Sequence, residues 1–192
     1  MKNSNSTFFS RQSRSTPFLS LFLALVLSGY VPMAGAAMQM FMVIDGVKGE
    51  STDPVFPESI EVKSFEWGVA KDSQSGGGGG APSFDELTIV KKVDSSSIDF
   101  FMQVATGDHY QEALIVLRKT DSDPFEFFAF RLFDVAVTRV YTLAGDDDSG
   151  VAEQVTFDYR KIQTLYRPQN PENGEGGPLK DWCWDLQSNS GC

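Results

Sequence analysis

Histidine occurs once in these 192 residues, at position 109, and cysteine twice, at 183 and 192. A Ser/His/Asp or Cys/His catalytic group would have to be built on His109, whose neighbourhood, Thr106-Gly107-Asp108-His109-Tyr110, reads as a polar turn open to solvent. No strained nucleophile turn occurs elsewhere, and one histidine with two late cysteines has no zinc-ligand spacing. Positive charge is also scarce. Sixteen Lys and Arg stand against 26 Asp and Glu, and the formal charge of −10 argues against nucleic acid, which binds basic surfaces. No apolar run reaches the ~20 residues that a bilayer-spanning helix needs.

Carboxylates are plentiful but unorganised. Asp146-Asp147-Asp148 lacks the alternating spacing and distal glutamate of a calcium loop. Asp85, Glu86, Asp99 and Asp158 could pair for acid/base work, but nothing in their spacing brings two together. The run Gly76–Gly80 is followed by Ala81-Pro82-Ser83-Phe84, without the Lys and Ser/Thr of a phosphate-binding loop, so it reads as a flexible hairpin loop. These patterns predict no catalytic residue, no cofactor and no metal site.

What the chain does have begins at its start. Lys2, Arg11 and Arg14 precede the apolar run from Phe18 to Leu27, and Ala34-Gly35-Ala36 offers small residues for cleavage, the three-part pattern of a secretory leader over residues 1–36. Its removal takes away three positive and no negative charges, so the formal charge moves from −10 to −13. The expected location is exported, periplasmic or extracellular, with no membrane partner after cleavage. In such a compartment Cys183 and Cys192 could pair, or remain as two thiols in a frayed tail.

The body reads as strand with one helix. Met38–Ile44 predicts a first strand, and Asp45-Gly46 ends it. Asp53-Pro54 and Phe56-Pro57 make residues 51–57 an extended loop. Residues 60–69 return to strand, with Ile60 and Val62 on one face and Phe65 and Trp67 on the other. Residues 84–93 lead to the helix, where Ile98, Phe101, Met102 and Ala105 at i, i+3, i+4 and i+7 predict a buried face. Asp94 or one of Ser95, Ser96 and Ser97 can cap its start, and Gly107 its end.

Three further strand segments follow. Ala113–Arg118 is compact and apolar, with a turn at Asp121–Pro124 after it. Phe125–Val140 is apolar on both faces, as a central strand or two strands joined by a bend. Val151–Tyr166 alternates, with Val155, Phe157, Tyr159 and Lys161 on one face and Thr156, Asp158, Arg160 and Ile162 on the other. Residues 168–192, rich in Pro and Gly, predict an irregular tail from which Trp182 and Trp184 could dock on the body.

Five segments in order carry a family resemblance: Asp45 to Ser51, Ser64 to Val69, Thr88 to Ser97, Phe133 to Thr138 and Glu153 to Ile162. Together, over roughly residues 40–167, they resemble the haemolysin-coregulated protein (Hcp) family, the tube protein of type VI secretion. The resemblance implies a mainly β domain over residues 38–167, a small β-barrel of two antiparallel sheets with one flanking α-helix. It also implies a structural protein, not an enzyme, that forms homo-hexameric rings, stacks them into a tube and carries effectors. The segment after Gly49-Glu50-Ser51 would then touch a neighbouring subunit or ring through Ser51, Asp53, Val55 and Phe56. Typical members have neither a leader nor so long a tail. The competing reading is an exported monomeric β-sandwich binding a ligand through Trp67, Trp182 and Trp184.

N-terminal sequencing of the exported protein should find a first residue at Ala37 or Met38. A chain still starting at Met1 would remove the case for export.

Overall fold

The two-residue period of an extended strand sends Met40, Met42 and Ile44 of β1 (Met38–Ile44) into the core. The same period-2 logic builds β2 (Ile60–Glu66), β5 (Leu87–Lys92), β6 (His109–Lys119), β7 (Phe125–Ala144) and β8 (Val151–Tyr166). In this computed structural model, which describes residues 37–73, 79–120, 123–144 and 150–192, these strands pair antiparallel in the order β8-β5-β2-β1-β6-β7. β7 then pairs back with β8, closing a six-stranded barrel. Closure matches the expected fold class and leaves no free edge in the ring of strands. Residues 1–36, where a leader is expected, Gly76–Gly78 of the glycine run, Asp121, Ser122 and the Asp146–Asp148 triple lie outside the described residues, while Gly79 and Gly80 of the expected loop already belong to a strand.

A small two-stranded sheet of β3 (Val69–Ser73) and β4 (Gly79–Phe84) branches off between β2 and β5. The single helix, α1 (Ser96–Thr106), joins β5 to β6. Asp94 caps its first turn, accepting from the Ser96 backbone N–H at 3.0 Å. Gly107 ends it in the left-handed region at φ 74°, its N–H donating to the Gln103 carbonyl at 2.8 Å.

The face that α1 buries is not the expected one. Ser96, Ser97 and Phe100 point inward, and the Phe100 ring meets Phe157 edge-on at 5.6 Å. Ile98, Phe101 and Met102 are 65%, 43% and 61% exposed, and Ala105 is exposed as well. The cause is polar. The Nζ of Lys91, a residue with no exposed surface, donates to Glu153 at 3.0 Å, Ser97 Oγ at 3.0 Å and the Lys92 carbonyl at 2.8 Å, and lies 2.8 Å from Asp94. Ser97 Oγ also donates to Glu153 at 2.6 Å. Ser97 must face this cluster, and position 100, one turn on, then faces the barrel.

Two other expectations fail because strand phase slips, in β2 at a bulge and in β8 by a step that its neighbours take together. In β2 the register shifts between Val62 and Ser64, so Phe65 pairs with Ile89 and turns to the core side beside Val62 rather than away from it. In β8 Val155, Phe157 and Tyr159 point inward as expected, but the next core residue is Ile162, not Lys161. β6 and β7 slip at the same level, from Tyr110 to Ala113 and from Val135 to Leu132, with Asp134 between them at φ 54°. The cross-strand triplets Tyr110–Val135–Tyr159 and Ala113–Leu132–Ile162 remain in register across the slip. β7 is thus one bent strand.

The tail is not irregular throughout. β9 (Lys180–Asp185) pairs with the second half of β8, from Lys161↔Asp185 to Tyr166↔Lys180, and β10 (Ser190–Gly191) pairs with β9. Trp182 and Trp184, two apart on β9, stack on each other at 6.1 Å; Phe84 stacks on Trp182 at 6.1 Å and lies tilted against Trp184 at 6.0 Å. Trp67 continues this line inward to Phe130, at 5.3 Å. Cys183 and Cys192 form a disulfide with a Cα separation of 5.4 Å.

Phe100→Ala should cost about 3–5 kcal/mol by chemical denaturation, as for other buried rings, whereas Phe101→Ala should shift stability by less than about 1 kcal/mol. The reverse order would show that α1 is rotated in solution. A second expectation concerns Tyr159, whose hydroxyl accepts from Trp67 Nε1 at 2.6 Å and donates to the Asp85 carbonyl at 2.9 Å. Burial first, countered by the Trp67 bond but helped by Asp158 and Asp85, pushes its phenol up to about 12. The fold favours the neutral form, so the stability it contributes is complete below about pH 10 and lost as pH rises toward 12. Tyr159→Phe should flatten that alkaline loss in pH-dependent unfolding.

Candidate functional site

The segment between β1 and β2 leaves the barrel and returns through a short backbone ladder. Gly49 N donates to the Glu58 carbonyl at 2.8 Å, Glu58 N to the Ser51 carbonyl at 2.9 Å, and Ser51 N to the Ser59 carbonyl at 3.1 Å. Gly49 has to be glycine, because a Cβ there would run into the Ser59 backbone. Beyond this neck Thr52 bridges Pro57, so the loop is folded and internally paired rather than simply extended.

The four sequence-selected contact residues divide sharply. Ser51 is buried, its Oγ accepting from the Asp53 N–H at 3.2 Å. Asp53 Oδ1 accepts from the backbone N–H groups of Val55 and Phe56 at 2.9 and 3.1 Å, shaping the turn. It also accepts from Arg118 at 3.1 Å, and Asp53 and Arg118 form a second, shorter ion-pair contact. The guanidinium, more than the two backbone bonds, holds the Asp53 carboxyl down to about 2. Phe56 stacks on Phe41 at 4.9 Å, with the Arg118 guanidinium 5.0 Å from the Phe41 ring and 5.5 Å from that of Phe56. Of the four, only Val55 projects, 61% exposed.

Arg118 and Phe41 were not singled out by sequence, yet they hold the loop. Phe41 and Val116 are buried but lie outside the core, because alternation turns them to the outer face of the barrel. They begin an outward row that crosses four strands, Phe41↔Val116↔Ala129↔Leu165. The loop covers its first end. The other end opens into a groove of about 250 Å³, lined among others by Val116, Phe127, Ala129, Leu165 and Leu179. Glu126 and Arg167 supply the charges in its wall. An outward apolar row explains why β7 reads as apolar on both faces, since a solvated sheet face would alternate.

Other sequence candidates do not converge. His109 begins β6 rather than lying in a loop, about half exposed, its Nδ1 2.8 Å from Asp134 Oδ1. Tyr110, Gln111, Phe133, Arg160 and Lys161 surround that pair, with no Ser, Thr or Cys among them for the histidine to activate. Among the described residues no three His, Cys, Asp or Glu side chains are placed to hold a metal ion. No described helix is long and apolar enough to cross a membrane.

Comparison with known proteins bears on this barrel. Residues 41–166 match the family described as "Type VI secretion system effector, Hcp". Protein hcp1 of Pseudomonas aeruginosa is 31% identical over 159 residues, 80% of this chain and 98% of the relative. The crystal structure of Hcp1 from Salmonella typhimurium superposes with a TM-score of 0.70 at 26% identity, covering 81% of this chain and 99% of that one. A type VI secretion system effector from Yersinia pestis gives 0.63 at 27% identity, covering 76% and 98%. The family match runs from within β1 to the last residue of β8, and this chain belongs to the Hcp family of type VI secretion proteins.

Proposed function

We propose that the mature chain is a structural subunit that assembles into homo-hexameric rings, which stack into a tube able to carry effectors, and that it does so after export. Family membership supports the assembling role, since Hcp proteins are components of the type VI secretion tube. The observation that carries the reading for this chain is the apolar surface left on an already closed barrel. Val55 at the loop tip, the Ile98–Phe101–Met102 stripe and Leu179 are all more than 40% exposed. A contiguous apolar helix stripe is costly to leave in water and is what a subunit contact covers.

The loop contributes through Val55. Ser51, Asp53 and Phe56 act behind it, holding the turn against Phe41 and Arg118 so that Val55 is presented on a rigid support. The charge of −13 per mature subunit opposes close packing of copies, and salt screens that repulsion once the Debye length falls to about 8–10 Å. Export is supported by the leader pattern and by the Cys183–Cys192 bond, which persists in oxidising compartments.

Light scattering of residues 37–192 should give a discrete multi-subunit mass that grows in population from low to physiological ionic strength. Val55→Asp should lower it while leaving the unfolding midpoint in place. Phe56→Asp should instead destabilise the loop within one subunit. A strict monomer at every salt concentration would defeat the ring reading and favour the binding module with its Trp182/Trp184 shelf. Assembly of Val55→Asp equal to that of the parent would remove the loop from the contact.

A further inference from the structure

The C-terminal addition is held loosely by its side chains and firmly by one covalent bond. No residue of β9 or β10 is buried, and β10, two residues long, pairs with β9 alone. Trp184 and Leu186 are half-buried against the core, and the segment after them runs exposed to Cys192. The Cys183–Cys192 bond is what folds this end back on β9. The linker before β9 is fixed independently: Arg167 N donates to the Phe127 carbonyl at 2.9 Å, Gly177 N to the Pro168 carbonyl at 2.7 Å, and Lys119 Nζ to Gln169 at 3.1 Å. Opening of the tail is thereby confined to the residues after Gly177.

Two elements depend on that tail. The first is β8, whose residues 161–166 pair with β7 on one side and with β9 on the other, because β5 reaches no further along β8 than Phe157. Without β9 this stretch is a bare strand edge, a template for an extended chain. The second is the β3–β4 hairpin, which forms a sheet of its own. Phe84 on β4 meets three rings, Trp67 at 6.5 Å, Trp182 at 6.1 Å and Trp184 at 6.0 Å, and two of the three come from β9. The barrel needs neither element, since it closes through the pairing of β7 with β8.

We propose that Cys183 and Cys192 form a redox latch: the closed disulfide seats β9 on the β8 edge and, through Trp182 and Trp184, holds the β3–β4 hairpin down, whereas reduction frees both and leaves the barrel intact. Cys192 is exposed and Cys183 half-buried, so a small thiol reaches the pair. Closing is thiol–disulfide exchange with an acceptor disulfide. The Cys192 thiolate, its proton lost to solvent, attacks one acceptor sulfur and expels the other as a thiolate. The Cys183 thiolate then attacks the Cys192 sulfur and expels the second acceptor thiolate, so two thiols are oxidised and one acceptor disulfide is reduced. A dithiol reductant runs the same steps backwards. Disulfides persist in oxidising compartments and thiols in reducing ones, so the β8 edge is covered in the first and open in the second. The latch acts within one subunit and is independent of how copies assemble.

The test compares residues 37–192 oxidised and reduced with dithiothreitol. Lys180 begins β9 and Lys71 lies in β3, so trypsin reports on each element separately. Reduction should raise the rates of cleavage after Lys180 and after Lys71 roughly tenfold or more, with the unfolding midpoint of the barrel unchanged. It should also abolish the near-ultraviolet circular-dichroism couplet of the Trp182–Trp184 stack. Cys183→Ser/Cys192→Ser should behave as the reduced chain in either buffer, because the sequence has no other cysteine. Trp182→Ala/Trp184→Ala with the disulfide intact should expose Lys71 to the same degree, which separates the aromatic coupling from the cross-link. A reduced chain that keeps the protection and the couplet of the oxidised one would overturn the latch. So would a fall in the barrel's unfolding midpoint on reduction, which would make the bond a support of the core. Cleavage after Lys180 with Lys71 still protected would overturn the transmission to β3–β4.

Discussion

A buried ammonium governs how this barrel is finished. Lys91 carries its charge into a place without solvent, which would be prohibitive alone, and three oxygen acceptors plus Asp94 surround it there. Those partners come from β5, from β8 and from the first turn of the helix, so one charge joins two strands to α1. The helix cannot rotate without withdrawing Ser97 from both Lys91 and Glu153. Because Ser97 is held inward, Phe100 enters the core and the apolar stripe at 98, 101, 102 and 105 is turned outward. A polar constraint thus decides where the apolar residues go.

The outer wall of the barrel follows a related logic. A closed barrel needs only its inner alternate residues to be apolar, and the core of Met42, Ile60, Leu87, Ile89, Ile115, Leu132, Val155 and Phe157 meets that need. Phe41, Val116, Ala129 and Leu165 form a second apolar layer on the outside. One part is closed by the subunit's own loop, through Phe56, Arg118 and Asp53; the rest is left as a groove. The same surface therefore anchors the loop that presents Val55 and leaves the rest of its apolar row as an open groove.

The C-terminal strand belongs to neither layer. It extends the sheet beside the half of β8 that β5 does not reach, and its two tryptophans roof the β3–β4 hairpin through Phe84. It lies beyond the residues matched to the family. The disulfide ties the last residue to β9 and so closes the end of this addition, not the barrel, which is complete without it.

Much of this was legible in the sequence because it is local. An apolar run closed by Asp45-Gly46 marks Met38–Ile44 and period-2 alternation marks Val151–Tyr166, Gly107 ends the helix where a left-handed residue is needed, and the order of five segments points to the family. The turn residues around Pro54 and Pro57 mark the loop. What local pattern cannot carry is phase across a bulge or the choice between two possible faces. Phe65 changed sides at a bulge against β5, and Ile162 where β6, β7 and β8 step together without losing register. The stripe on α1 is a true amphipathic stripe, but periodicity says only that a face should be covered, not whether the cover lies in the same subunit. Likewise Val55 and Phe56 look equivalent between their prolines. Only the fold, by bringing Phe41 and Arg118 from distant strands under the loop, took Phe56 inward and left Val55 in the open. Sequence determined the elements and the family; tertiary structure decided which apolar surfaces the subunit keeps for itself, because burial depends on contacts between residues far apart in the chain.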